Sequence, residues 1–212
     1  DIDKALDGFN KISDKEKADL GAFDIWCGGD VEMWKKIANT MKLRIALRLS
    51  KRESEMKAAG YDLPAIAKAA AANTLANGGK DIMIDKSLEN ELWLMFAWGD
   101  CGFNANLVTL MSGLKDPRQP LYMGKNQGEF TTTDGTKVEK NSGYYGIRFA
   151  SGLPGKPNNW GNLSSWVDKD NQKGIYTAPL PIFKQAESYF LLAEAALRGW
   201  TSGDVKSLYE EG

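Results

Sequence analysis

Hydrophobic positions recur at helical spacing in two long segments, one near each end of the chain. From Asp30 to Ser50, placing residues at 100° intervals gathers Trp34, Ile37, Ala38, Met41, Ile45 and Leu49 on one stripe. Asp30 stands where an N-cap belongs. From Gln185 to Trp200, Glu187 and Glu194 share a face with Phe190 and Leu191, while Tyr189, Leu192, Ala193, Ala196 and Trp200 occupy the opposite one. A helix apolar on two sides is sandwiched between neighbours, and Gly199 fits as its C-terminal cap. Arg48 falls within the first stripe and Arg44 at its edge. An arginine on a buried face needs a carboxylate partner. The pattern therefore predicts that Arg44 or Arg48 pairs with Glu187 or Glu194 in the core, and that Arg48→Met costs about 3–5 kcal/mol.

Shorter elements lie between. Residues 1–12 read as helical and are followed by a polar segment through Cys27-Gly28-Gly29. A helix starts near Asp62, carries Pro64 in its first turn and runs to Leu75, where Asn77-Gly78-Gly79 stops it. Ile82, Met83 and Ile84 form a short strand or an apolar plug. The run containing Trp93, Phe96 and Trp98 reads as core, and a helix from Asn104 to Gly113 turns Leu107, Val108, Leu110 and Met111 inward. From Lys115 to Pro181 glycine, proline, asparagine and threonine dominate and helical periodicity ends. Within it, Phe130 to Val138 reads as a hairpin, with Asp134-Gly135 supplying the positive φ angles of a type I′ turn. The expected fold is mainly α: a single domain over residues 1–212 with a loop-rich insertion at 115–181. A clean 34-residue repeat is not visible.

Composition narrows the chemistry. The 212 residues contain no histidine, which removes Ser-His-Asp and Cys-His nucleophiles and histidine-ligated metals. A net charge of −1 does not recommend nucleic acid as a partner. Cys27 and Cys101 sit in no metal-ligand spacing and read as free thiols, with a disulfide as the alternative. No segment has the roughly 20 apolar residues that span a bilayer. The aromatic supply is generous, with 7 Trp, 7 Tyr and 8 Phe. Two loop stretches combine aromatic planes with polar neighbours, as a sugar's C–H faces and hydroxyls require. They supply the candidate ligand-binding residues Tyr144, Tyr145, Arg148, Asn159, Trp160 and Trp166. Each tryptophan could equally anchor its loop to the body. Asp24, Asp30 and Glu32 cluster in sequence as a glycosidase's carboxylates would, although Asp30 is accounted for as a cap. Asp168, Asp170 and Asn171 are a weak calcium pattern. No catalytic residue, resident metal or cofactor is assigned.

Three blocks, in order, carry a family resemblance. Gly29-Asp30 with Trp34, Lys36, Ala38-Asn39 and Leu43-Arg44-Ile45-Ala46-Leu47-Arg48-Leu49-Ser50 is similar to a motif of the SusD-like (SusD/RagB) outer-membrane nutrient-binding lipoproteins. Asp116-Pro117-Arg118-Gln119-Pro120-Leu121-Tyr122 resembles that family's middle block, and Ala186-Glu187 through Arg198-Gly199 its third. Cys27 departs from the aromatic or small residue usual there. The resemblance implies tetratricopeptide-like helix pairs around an irregular region. It further implies a lipoprotein on the outer face of the outer membrane, touching the membrane only through a lipid anchor absent from this sequence. Such a protein binds glycans without hydrolysing them and delivers them to a SusC-like TonB-dependent transporter. Family members are longer, and both ends of this chain break off in mid-pattern, so it reads as a central fragment or a truncated relative. The alternative is a helical-repeat scaffold whose ligand is a protein; a carboxylate-dependent glycosidase comes third.

Overall fold

Polar side chains mark where the helices begin. Ser13 and Glu16 close a capping box at α2 (Asp14–Gly21), and Asp30 accepts the Met33 N–H at 3.0 Å to open α3 (Val31–Arg48). Asp62 accepts the Ala65 N–H at 3.1 Å to open α5 (Leu63–Ala71), with Pro64 in the first turn as expected. The computed structural model describes residues 1–84, 102–132, 134–149, 162–165 and 179–212. The chain divides into two units, Asp1–Asp85 with Leu180–Gly212, and Lys86–Pro179.

The first unit is helical around α3. The helices α1 (Ile2–Lys11), α5 and α8 (Gln185–Leu197) all pack on α3, and α9 (Val205–Glu211) packs on α8. A 3-10 turn, Ser50–Arg52, and the short helix α4 (Glu53–Ala58) link α3 to α5. One core cluster joins Leu43, Ala46 and Leu47 to Leu63, Ala67, Ala70 and Ala195; small side chains let three helices approach closely. A second joins Met33 and Ile37 to Leu75 and Ile82. Ile82–Ile84 is a strand, β1, paired antiparallel with Leu180–Phe183. That second strand is β4, because β2 (Phe130–Thr131) and β3 (Lys137–Val138) precede it in the other unit. Lys184 pairs with Asp81 at 2.6 Å and the Gln185 N–H reaches the same carboxylate at 2.8 Å. Gln185 Nε2 also donates to the Leu75 and Gly79 carbonyls.

The corner between α2 and α3 is organised by one carboxylate. Asp24 Oδ1 accepts the Trp26 and Cys27 N–H groups at 3.0 and 3.1 Å, and Oδ2 accepts the Gly29 N–H at 2.9 Å and Trp34 Nε1–H at 2.7 Å. Gly29 is required here: its φ is +84°, and a Cβ would meet the Gly21 Cα at 2.7 Å. Trp34 stacks on Trp26 with centroids 5.4 Å apart.

Several expectations are met and several corrected. Arg44 pairs with Glu187 at 2.5 Å and lies over the Phe183 ring. Both partners are partly exposed rather than deep in the core. Arg48 is exposed, and Glu194 pairs at 2.7 Å with Arg198, just past the end of its own helix. The buried face of α3 runs through Met33, Ile37, Thr40, Leu43 and Leu47, leaving Ile45 exposed, because α1, α5 and α8 meet the helix from more than one side. Gly199 caps α8 as predicted, with its own N–H on the Ala196 carbonyl and the Trp200 N–H on Ala195. α5 ends at Ala71, short of Leu75, and turns continue from there. The polar α2 and α4 are additions to the expected elements. Cys27 is a free thiol, pushed up to about 11 by burial and by the nearby Asp24 and Asp30 charges. Cys101 and the Trp93–Trp98 run lie outside the described residues.

Arg44→Met should cost about 1–2 kcal/mol in urea unfolding, since it strands a half-exposed Glu187. Arg48→Met should stay within about 0.5 kcal/mol of the parent; equal losses would remove the distinction between the two arginines. For Asp24, burial raises the carboxyl pKa, but the bonds from Gly29, Trp34, Cys27 and Trp26 outweigh it and the net shift is downward. A lowered folded pKa stabilises above the ordinary carboxylate range and loses that contribution as pH falls through the folded value. Asp24→Asn should therefore cost about 1–3 kcal/mol near neutral pH, and the gap from the parent should narrow in acid.

Candidate functional site

Among the described residues of the second unit, α6 (Ala105–Gly113) and α7 (Gln119–Tyr122) are helical. Asn104 caps α6 through the Asn106 N–H at 2.8 Å. Asp116 holds Arg118 by a forked ion pair, Nε to Oδ1 at 3.0 Å and a terminal nitrogen to Oδ2 at 2.7 Å. The Arg118 side chain and N–H hold the Asp116 carboxyl down to about 2. Val108 and Met111 face inward as expected, packing with Phe103 and Met123. Leu107 and Leu110 do not: they are exposed, as are Leu114 and Leu121.

The hairpin forms where the sequence places it, with Phe130 opposite Val138 and Thr131 opposite Lys137. Its turn differs in detail. The Gly135 N–H returns to the Thr132 carbonyl and the Thr132 N–H to the Thr136 carbonyl. Gly135 has a positive φ but Asp134 does not, whereas a type I′ turn centred on Asp134-Gly135 needs both. Asp134 instead accepts the Thr136 N–H through its side chain at 3.1 Å.

The tyrosine segment 143–148 is held on both flanks by main-chain bonds. Ile147 exchanges bonds with Phe103 and Ala105, each at 2.8 Å, and Ser164 donates its N–H to the Tyr145 carbonyl at 3.1 Å while its hydroxyl accepts the Tyr145 N–H at 3.0 Å. Gly146 permits the first of these approaches, since a Cβ there would meet the Ala105 Cα at 2.8 Å. Below lies Asn126, fully buried. Its Nδ2 donates to the Gly128 and Glu139 carbonyls at 2.9 and 2.7 Å, and its Oδ1 accepts the Ser142 and Gly143 N–H groups at 2.9 and 3.1 Å. One side chain thus ties the hairpin's return to the start of the tyrosine segment.

This framework separates the two tyrosines. Tyr144 packs against the Phe103, Val108, Met111 and Met123 cluster. Tyr145 stands edge-on to Phe130, with centroids 5.0 Å apart and an interplanar angle of 79°. Arg148 is exposed, and so is Phe149, at 90%. A shallow cavity of about 280 Å³ lies along the hairpin, lined by Glu129, Phe130, Thr131, Lys137, Val138 and Glu139. The structure therefore brings Tyr145 beside Phe130. Trp160, Trp166 and Asn159 lie outside the described residues, as do Asp168, Asp170 and Asn171. Sequence reasoning passed over Phe130, Phe149 and Asn126. The strand alternation at 130 and the position of Phe149 beside Arg148 were available signals; Asn126 carried none. Among the described residues no group of His, Cys, Asp or Glu side chains could hold a metal ion, and no helix is long and apolar enough to cross a membrane.

Comparison with known proteins gives one consistent match. The SusD-like model, described as SusD and RagB outer membrane lipoprotein, matches residues 1–212. No curated protein matches the chain. Among solved structures, a SusD-like protein from Bacteroides thetaiotaomicron is similar at 29% identity and TM-score 0.69, covering 99% of this chain and 40% of that one. A SusD homologue from the same organism matches at 24% identity and TM-score 0.71, with the same coverage. A chitin-binding SusD homologue from Flavobacterium johnsoniae matches at 24% identity and TM-score 0.62, covering 99% of this chain and 39% of that one. The chain thus spans about two fifths of the length of these structures.

Replacing Asn126 by alanine leaves two carbonyls and two N–H groups without their partner. The expected cost is about 2–4 kcal/mol, with faster hydrogen exchange at the Ser142 and Gly143 amides. Unchanged protection at those amides would show that Asn126 does not hold the segment.

Proposed function

The chain belongs to the SusD-like family of outer-membrane lipoproteins, and from that membership we propose that it binds oligosaccharides without cleaving them. In this reading it works at the outer face of the outer membrane and passes its ligand to a SusC-like TonB-dependent transporter. The observation that carries the glycan assignment is the Tyr145–Phe130 pair beside the hairpin cavity, with Arg148 and Phe149 exposed a few residues on. Aromatic edges and faces suit the C–H surfaces of a sugar ring, and the charged rim of Glu129, Lys137 and Glu139 suits its hydroxyls. Asn126 and Ser164 hold the backbone on either side of Tyr144 and at Tyr145, which lowers the ordering cost of presenting the Tyr145 ring. Trp160, Trp166 and Asn159 belong to the same proposed site, and Tyr144 supports it from beneath. The chitin-binding homologue from Flavobacterium johnsoniae is in keeping with a glycan ligand.

Two of the acidic residues considered for hydrolysis have structural roles that support the binding reading. Asp24 accepts four N–H donors and Asp30 caps a helix. A second reading, a scaffold for a protein ligand, is favoured by one observation. Leu107 and Leu110 of α6 and Leu114 just past its end remain exposed, as does Leu121.

An oligosaccharide panel, with mass spectrometry of each mixture afterwards, separates these readings. Binding with every sugar intact is expected. Tyr145→Ala, Trp160→Ala and Trp166→Ala should each weaken it by about three- to tenfold. Cleaved products would replace the binding reading with an enzymatic one. Failure to bind any member of the panel would favour the scaffold.

A further inference from the structure

A second cleft, in the unit that contains α3, has no part in the glycan reading. It opens between the end of α5 and the turn joining α8 to α9, and has a volume of about 550 Å³. Small-ligand sites run to roughly 300–1,000 Å³. Its aliphatic lining comes from Ala71 at the end of α5, Ala72 just after it, Leu192 of α8 and Leu208 of α9, beside the Thr201-Ser202-Gly203 turn. Among the described residues no aromatic ring lines it, so it offers no plane for stacking a sugar.

The rim carries one charge of each sign. Lys68, on the last turn of α5, is exposed and forms no ion pair among the described residues. Asp204 is the N-cap of α9 and accepts the Ser207 N–H at 2.7 Å. The Ser207 hydroxyl, and then its N–H, hold the Asp204 carboxyl below the usual carboxylate range, so it is ionised at neutral pH. Asn77 completes the rim. Its Oδ1 is occupied by the Thr74 N–H and hydroxyl at 2.7 and 2.9 Å, which leaves its amide nitrogen as the donor.

An aliphatic lining beneath one cation and one anion is complementary to a compact aliphatic molecule bearing both charges. We infer that this cleft binds a free aliphatic amino acid. The carboxylate lies towards Lys68 and the Asn77 amide, the ammonium towards Asp204, and the side chain on the alanine and leucine lining. Either charge alone would leave one side of the rim unmatched, so discrimination against single-charge analogues is built into the arrangement.

The test is titration of the 212-residue chain with L-leucine, followed by amide chemical shifts, beside 4-methylpentanoate and 3-methylbutylamine as single-charge analogues. Shifts centred on residues 68–77 and 201–208 are expected, with each analogue at least about tenfold weaker than leucine. Lys68→Gln and Asp204→Asn should each weaken leucine by a similar factor. Glutamine keeps nearly the same helix propensity, and asparagine keeps a capping oxygen for α9, so both variants should fold. Absence of shifts in the cleft at the solubility limit of leucine would overturn the inference. So would an analogue binding as tightly as leucine, or leucine affinity unchanged in both variants.

Discussion

The Asp24 carboxylate is the contact on which the helical unit most depends. Its four N–H donors fix the corner before α3 and, through Trp34 Nε1, the first turns of α3 itself. From there the order propagates through rings. Phe9 of α1 stacks near Trp34, Trp34 on Trp26, and Trp26 meets Phe183 of β4 edge-on. Phe183 in turn lies under Arg44, which holds Glu187 at the start of α8. One continuous series of contacts therefore joins the first helix of the chain to the helix near its end. A carboxylate with both oxygens filled by donors is a rigid anchor, because rotation would break several charge-assisted bonds together.

Much of this was legible in the sequence, for reasons that differ from element to element. Helix starts were readable because Asp30, Asp62 and Asn104 act locally, on N–H groups two or three residues ahead. The pairing of an α3 arginine with an α8 glutamate followed from charge on an apolar helix. Which arginine, and how deeply buried, did not. That choice depends on the angles at which α1, α5 and α8 reach α3, and a helical projection of one segment does not contain its neighbours. Thr40 illustrates the point: it is buried, and its hydroxyl accepts the Leu75 N–H at 3.0 Å, a contact set by the turns that follow α5. The short polar helices α2 and α4 lack an apolar stripe altogether. α2 announces itself only by the Ser13–Glu16 box, which went unread.

At the candidate site the aromatic content was readable and its division was not. Two adjacent tyrosines look equivalent in sequence, yet alternation along an extended segment sends one into the Phe103 cluster and the other to the hairpin. The residue that makes the arrangement possible is Asn126, an asparagine in a polar loop with no local signature. Its four main-chain partners come from positions 128, 139, 142 and 143, so its role exists only in the folded loop. The same holds for Ser164, whose value lies in reaching Tyr145 across the loop.

The antiparallel pair β1–β4 has a consequence for how such a protein can diversify. Because Ile84 lies opposite Leu180, the chain leaves the helical unit and rejoins it at adjacent points. The Asp81–Lys184 and Gln185 contacts fasten that junction independently of what lies between. Doubling the length of a flexible intervening segment adds only about 0.6 kcal/mol of closure cost. Changes in the length of the chain between Ile84 and Leu180 therefore place little closure cost on the β1–β4 junction.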